Sequence, residues 1–112
     1  MAQERDGNFS IRFEPTAQLQ TGAPIPFQIT ATDSAHKPLP DAKVKLQIEM
    51  ANHTHVQVFP APAVDPRANP GVYVAKPVFD AAGEWSVYVE VRRENGRSEE
   101  MSARSLTFTV PE

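Results

Sequence analysis

The chain has three histidines in 112 residues, and two of them stand close together as His53 and His55. In extended backbone, residues two apart point the same way, so both imidazoles can reach one metal ion. Met50 lies just before them and would add a soft thioether. Imidazole with thioether suits copper better than zinc or magnesium. Glu49 would supply an oxygen if its strand ends there. The spacing leaves a second reading open. Met50 also continues an apolar row of Val44, Leu46 and Ile48, which makes it a core residue. Two histidines in a turn are commonly no more than solvated side chains. His36 falls in a separate turn and reads as a turn residue.

Other chemistries find little support. The absence of cysteine excludes a disulfide scaffold, a thiolate zinc site and a cysteine nucleophile. Gly-x-Ser-x-Gly does not occur. Ser34 is near His36, but a turn would not orient a triad. Glu99 and Glu100 are adjacent, so in a strand they point to opposite faces. Asp33, Asp41, Asp65 and Asp80 read as turn residues. Gly22, Gly71, Gly83 and Gly96 are scattered, and none builds a phosphate loop. The expectation is a protein that is not an enzyme. Eleven Lys and Arg against fourteen Asp and Glu leave a net charge of −3, a poor balance for binding nucleic acid. No apolar run reaches the roughly 20 residues of a membrane helix, so direct membrane insertion is not expected. Arg92, Arg93, Arg97 and Arg104 would suit an acidic partner or anionic headgroups. Glu94, Glu99 and Glu100 balance them, which favours an ordinary solvated hairpin. Asn52-His53-Thr54 matches a glycosylation acceptor, relevant only to a eukaryotic secretory protein.

The elements that must position these residues are strands. Eleven prolines punctuate the apolar runs and disfavour long helices. Apolar residues alternate with polar ones over Phe9–Phe13, Phe27–Ala31, Val44–Met50, Trp85–Val91 and Leu106–Val110. Val72 and Val74 flank Tyr73, and a short strand runs from Val56 to Phe59. Period two predicts one buried and one wet face for each. About seven such strands predict an all-β antiparallel sandwich, Ig-like or fibronectin-like. A single domain over 7–112 follows a polar, frayed segment over 1–6. Trp85 should anchor one end of the core. The stretch from Pro60 to Pro70 lacks periodicity and reads as a loop. Glu94-Asn95-Gly96-Arg97 reads as a tight turn. Tyr73 and Tyr88 are expected to face outward, a thin platform for carbohydrate. Ala2-Gln3-Glu4 after Met1 resembles a processed N-terminus with a start codon restored.

The pieces fall in a familiar order. Phe9 to Pro15 is followed by Gly22 and Pro24. Asp33 closes the next strand, before Lys37-Pro38 and Asp41-Ala42-Lys43-Val44. A strand to Met50 leads into a histidine-bearing turn, then come Pro70-Gly71-Val72-Tyr73 and Ala82-Gly83-Glu84-Trp85 with Val87 and Val89. In this order and spacing the chain resembles the YtkA-like domain family, with FixH-like proteins as relatives. The resemblance implies an Ig-like bacterial domain that is periplasmic or extracellular. It would be tethered to, or act beside, a membrane transporter or a respiratory-assembly protein. It also implies a Met and His turn after the third strand, of Met-Pro-x-Met-x-His character. Met50 and His53 match that turn, the proline and second methionine are absent, and His55 is additional. Any site would therefore lean toward imidazole, which accepts Cu(II) and Zn(II) as well as Cu(I).

Two functions are expected to compete. One is an accessory domain that binds copper transiently through Met50, His53 and His55. The other is a structural or protein-protein interaction module without a metal site. A monomer is expected in either case.

Overall fold

The rows of alternating side chains become strands because each can bury one face and wet the other. The computed structural model describes residues 3–5, 9–50, 56–65, 67–95 and 98–112. Among them the strands are β1 (Gln3–Arg5), β2 (Phe9–Pro15), β3 (Phe27–Asp33), β4 (Lys43–Met50), β5 (Val56–Pro60), β6 (Ala63–Asp65), β7 (Asn69–Ala75), β8 (Gly83–Asn95) and β9 (Ser98–Val110). No described residue is helical. A five-stranded sheet has the order β1-β9-β8-β4-β5, and a four-stranded sheet has the order β2-β3-β7-β6. Every strand pairing within the two sheets is antiparallel. The chain is an all-β antiparallel sandwich.

The core lies between the sheets. One side contributes Phe9, Ile11 and Phe13 of β2 with Phe27, Ile29 and Ala31 of β3. The other contributes Val44, Leu46 and Ile48 of β4 with Trp85, Val87, Val89 and Val91 of β8. Each buried aliphatic or aromatic side chain contributes roughly 1.5–3 kcal/mol against chain entropy. Phe13, Phe108, Phe27, Phe79 and Trp85 form a chain of ring contacts, with centroid separations of 5.3–6.2 Å. Trp85 is 3% exposed and anchors one end, as its place in the sequence predicted.

Several elements depart from the sequence expectation. Gln3–Arg5, expected to fray, pairs as β1 with Ser105, Arg104 and Ala103. Backbone pairing needs no apolar alternation, so a polar segment gave no sign of it. Part of the Pro60–Pro70 stretch is strand, because β6 pairs with β7 through a register shift. β9 begins well before Leu106. Its early inward positions are Ser102 and Arg104, which interrupt the hydrophobic rhythm. The last pair of the β8–β9 hairpin is Asn95 with Ser98; Gly96 and Arg97, from the expected turn, lie outside the described residues. Tyr73 points inward and is buried, while Val72 and Val74 take the other face. The Tyr73 hydroxyl donates to the Leu39 carbonyl and accepts from the Ala42 N–H at 3.0 Å. A strand of three alternating apolar residues does not reveal which face is inside. With Tyr73 buried, the tyrosine platform for carbohydrate is lost.

The polar inward residues of β9 close one side of the sandwich. The Ser102 hydroxyl accepts the Phe9 N–H at 3.1 Å, and Arg104 Nη1 donates to the Ile11 carbonyl at 2.9 Å. Both backbone groups belong to the outer edge of β2, which has no strand beyond it among the described residues. Side chains of the opposite sheet thus satisfy an otherwise open edge.

Gly71 shows how closely the β3–β4 connection packs. Its φ is +81°, and a Cβ there would lie 2.8 Å from both the Ala31 carbonyl oxygen and Pro38 Cβ. Gly22 has a similar φ of +78° but open space around it. Gly71→Ala should therefore cost roughly 2–5 kcal/mol, the sum of backbone strain and overpacking, while Gly22→Ala should cost about 1–2 kcal/mol. Urea unfolding of both variants measures the difference, and equal losses would show that the contact with Ala31 and Pro38 carries no energy.

Candidate functional site

The β4–β5 connection carries the sequence-predicted ligands. β4 runs to Met50 because Val44, Leu46 and Ile48 keep its inner face dry as far as the end of the sandwich. Met50 is the last of that row and is half-buried against the core. It pairs across the strands with Trp85. A Cβ on Gly83 would stand 2.6 Å from Met50 Cε, so the absent side chain at Gly83 makes the notch that receives the methionine methyl. Trp85 is held in turn by its Nε1–H, which donates to the Ala81 carbonyl at 3.0 Å, and by an edge-on contact with Phe79 at 5.3 Å. The thioether is thereby brought to the end of the sandwich on an aromatic floor. In the sequence, Gly83 and Trp85 read only as a turn and a core anchor. Their contact with Met50 depends on the β4–β8 register.

His53 and His55 lie outside the described residues. Glu49 belongs to the exposed row of β4, opposite in facing to Met50, so the strand does not bring its carboxylate to the thioether's side. Among the described residues, no group of three or more His, Asp or Glu is arranged to hold a metal ion. His36 is a turn residue, as expected. It has a φ of 64°, and its N–H donates to the Asp33 carbonyl at 3.0 Å. Asp33 Oδ1 accepts from the Lys37 and Ala35 N–H groups, and the bond from Lys37 leads in holding this carboxyl below its ordinary range.

The three described arginines of the last hairpin each have a different contact. Arg92 Nε donates to Glu90 Oε2 at 2.9 Å. The Arg93 guanidinium lies 5.1 Å from the centre of the Phe9 ring, in cation–π range. Arg104 reaches Ile11 between the sheets. Arg97 lies outside the described residues.

Glu90 is the charged centre that the sequence did not single out. It sits on the outward face of β8, opposite Ala103, yet is only 6% exposed. Lys45 Nζ approaches it at 3.3 Å, and the Tyr88 hydroxyl donates to Oε1 at 3.2 Å. Burial alone would push its carboxyl up. The hydrogen bonds from Arg92 and Lys45 and their charges outweigh burial and hold it below the ordinary value. A lowered folded-state pKa contributes stability above the unfolded value, and that stability is lost as pH falls through the folded value. The thermal midpoint should therefore drop as pH falls below about 4.5, the ordinary value for this carboxyl. Glu90→Gln should lower the midpoint at neutral pH and approach the wild-type curve in acid. A difference that stays constant from neutral to acid pH would show that the Glu90 charge contributes nothing.

Met50 thus stands on its floor at the end of β4, where the chain leads into His53 and His55. No curated protein matches the chain. The YtkA-like family model matches residues 2–90, from the N-terminal segment to the middle of β8. That is well over half of the sequence, and the chain belongs to the YtkA-like family.

Proposed function

We propose that the chain is a non-enzymatic accessory domain that binds a copper ion transiently at the turn between β4 and β5. Met50 would provide a thioether, and His53 and His55 would provide imidazoles. The observation that carries this reading is the placement of Met50. It lies at the end of the sandwich, half-buried over Gly83 and opposite Trp85, and it leads directly into the His-x-His segment. A thioether with two imidazoles suits Cu(I), and the imidazoles also accept Cu(II) or Zn(II). Family membership supports an accessory role. We place that role in the bacterial periplasm or outside the cell, beside a membrane transporter or a respiratory-assembly protein. The exposed apolar edge of β5, with Val56 42% and Val58 54% exposed, favours a second reading, a protein-interaction module with no metal site.

The lone tryptophan supplies the test. Trp85 pairs with Met50, so metal bound at the turn should quench its emission. Titration with Cu(II), and with Cu(I) under reducing conditions, should give saturable quenching in the wild type. His53→Ala/His55→Ala should weaken binding by about tenfold or more. Met50→Leu, which conserves volume, should weaken Cu(I) more than Cu(II). Affinity should fall as pH drops below about 6.5, where imidazole takes up a proton. No saturable binding in the wild type, or equal affinity in the double variant, leaves the interaction-module reading.

A further inference from the structure

The edges of the two sheets are not treated alike. The β2 edge is capped by Ser102 and Arg104. β1 is short and carries the polar sequence Gln-Glu-Arg. β6 is short and shifts register against β7. β5 has none of these guards except a proline, and no strand lies beyond it among the described residues. Val56, Val58 and Val64 are the exposed large apolar residues of the described structure, and all three lie on β5 and β6. Beside them a groove of about 440 Å³ is lined by Phe59, Pro60, Pro62, Val64, Val74 and the charged Lys76, among others.

We propose that β5 is a homotypic docking edge, where a second copy of this chain adds its own β5 in antiparallel pairing and joins two five-stranded sheets into one. Three features select a second copy as the occupant. Residues 56–64 read Val-Gln-Val-Phe-Pro-Ala-Pro-Ala-Val and contain no charge, so a copy meets no like charge across the edge.

The register of the hydrogen bonds also fits a two-fold axis. The Ala61 N–H donates to the Val44 carbonyl, and Phe59 and Gln57 occupy the equivalent positions opposite Leu46 and Ile48. The backbone groups of Val56, Val58 and Pro60 therefore face the open side. With the axis at Val58, each Val58 donates to and accepts from its counterpart. Each Val56 N–H then donates to the opposite Pro60 carbonyl. Proline lacks an N–H, and here it needs to contribute only its acceptor.

The side chains match in the same register. Val58 meets Val58 of the other copy, and Val56 meets Pro60, as one apolar stripe on the outer face. A two-fold contact of this kind is isologous and closes at the dimer. A single strand edge gives a small interface, so the dimer should be weak and reversible. The proposal replaces the monomer expected from the sequence. It does not rest on copper, and the test is run with chelator present.

Sedimentation of the full chain from micromolar to millimolar concentration should show reversible dimerisation. Val58→Lys sets two like charges on the axis and should remain monomeric throughout. Val58→Pro removes the N–H that faces the open edge, at an edge position where proline is tolerated, and it should also remain monomeric. If one variant fails to fold, the other decides. A mixture of Val58→Lys and Val58→Glu should restore dimerisation, a rescue that lost folding cannot imitate. A wild type that stays monomeric to millimolar concentration overturns the proposal, even if β5 accepts a strand from another protein. Self-association that is unchanged in Val58→Lys also overturns it.

Discussion

Burial of the β4 and β8 inner rows against those of β2 and β3 is the interaction on which the rest of the molecule depends. Leu46, Ile48, Val87 and Val89 on one side, and Phe27, Ile29 and Ala31 on the other, are fully enclosed. That contact fixes which face of each strand is dry. A slip of one residue in β4 would turn every buried side chain to water. It would also turn Met50 away from Gly83 and Trp85, and would part Lys45 from Glu90. The thioether at the end of the sandwich and the carboxylate on its outer face are thus both set by the same hydrophobic register.

Beyond the core, the fold is largely a matter of managing edges. An open sheet ends in a row of backbone donors and acceptors that invite another strand. Polar side chains on β9 occupy the inner positions nearest β2 and bind its edge groups directly. This explains why a long strand one in from the edge of its sheet carries Ser102 and Arg104 where hydrophobic residues would otherwise pack. The opposite flank has apolar side chains and no such binding. The asymmetry separates a sealed side from a side suited to contact.

Much of the architecture was legible in the residues. Period two was plain in β2, β3, β4 and the body of β8, and these four strands hold most of the core. The signal failed where it was short or interrupted. Three residues around Tyr73 could not say which face was inside, and the β3–β7 register decided it by setting Tyr73 opposite Ile29. Polar inward residues hid the first half of β9, and β1 had no hydrophobic rhythm at all. The candidate site divides in the same way. His53, His55 and Met50 stand out by type and spacing. The floor beneath Met50 depends on a pairing between residues 35 positions apart, 50 and 85, and no local pattern announces it. Glu90 was hidden because an alternating strand predicts a wet side chain there, whereas Lys45, Arg92 and Tyr88 fold over it.

The glycine notch under Met50 has a further consequence wherever the protein meets an oxidant. Conversion of the thioether to a sulfoxide adds a polar oxygen and a new stereocentre to a side chain that packs against the core. The methyl already fills space that even one carbon on Gly83 would contest. Oxidative damage at this sulfur would therefore remove a soft donor and wedge the end of the sandwich open in a single chemical event.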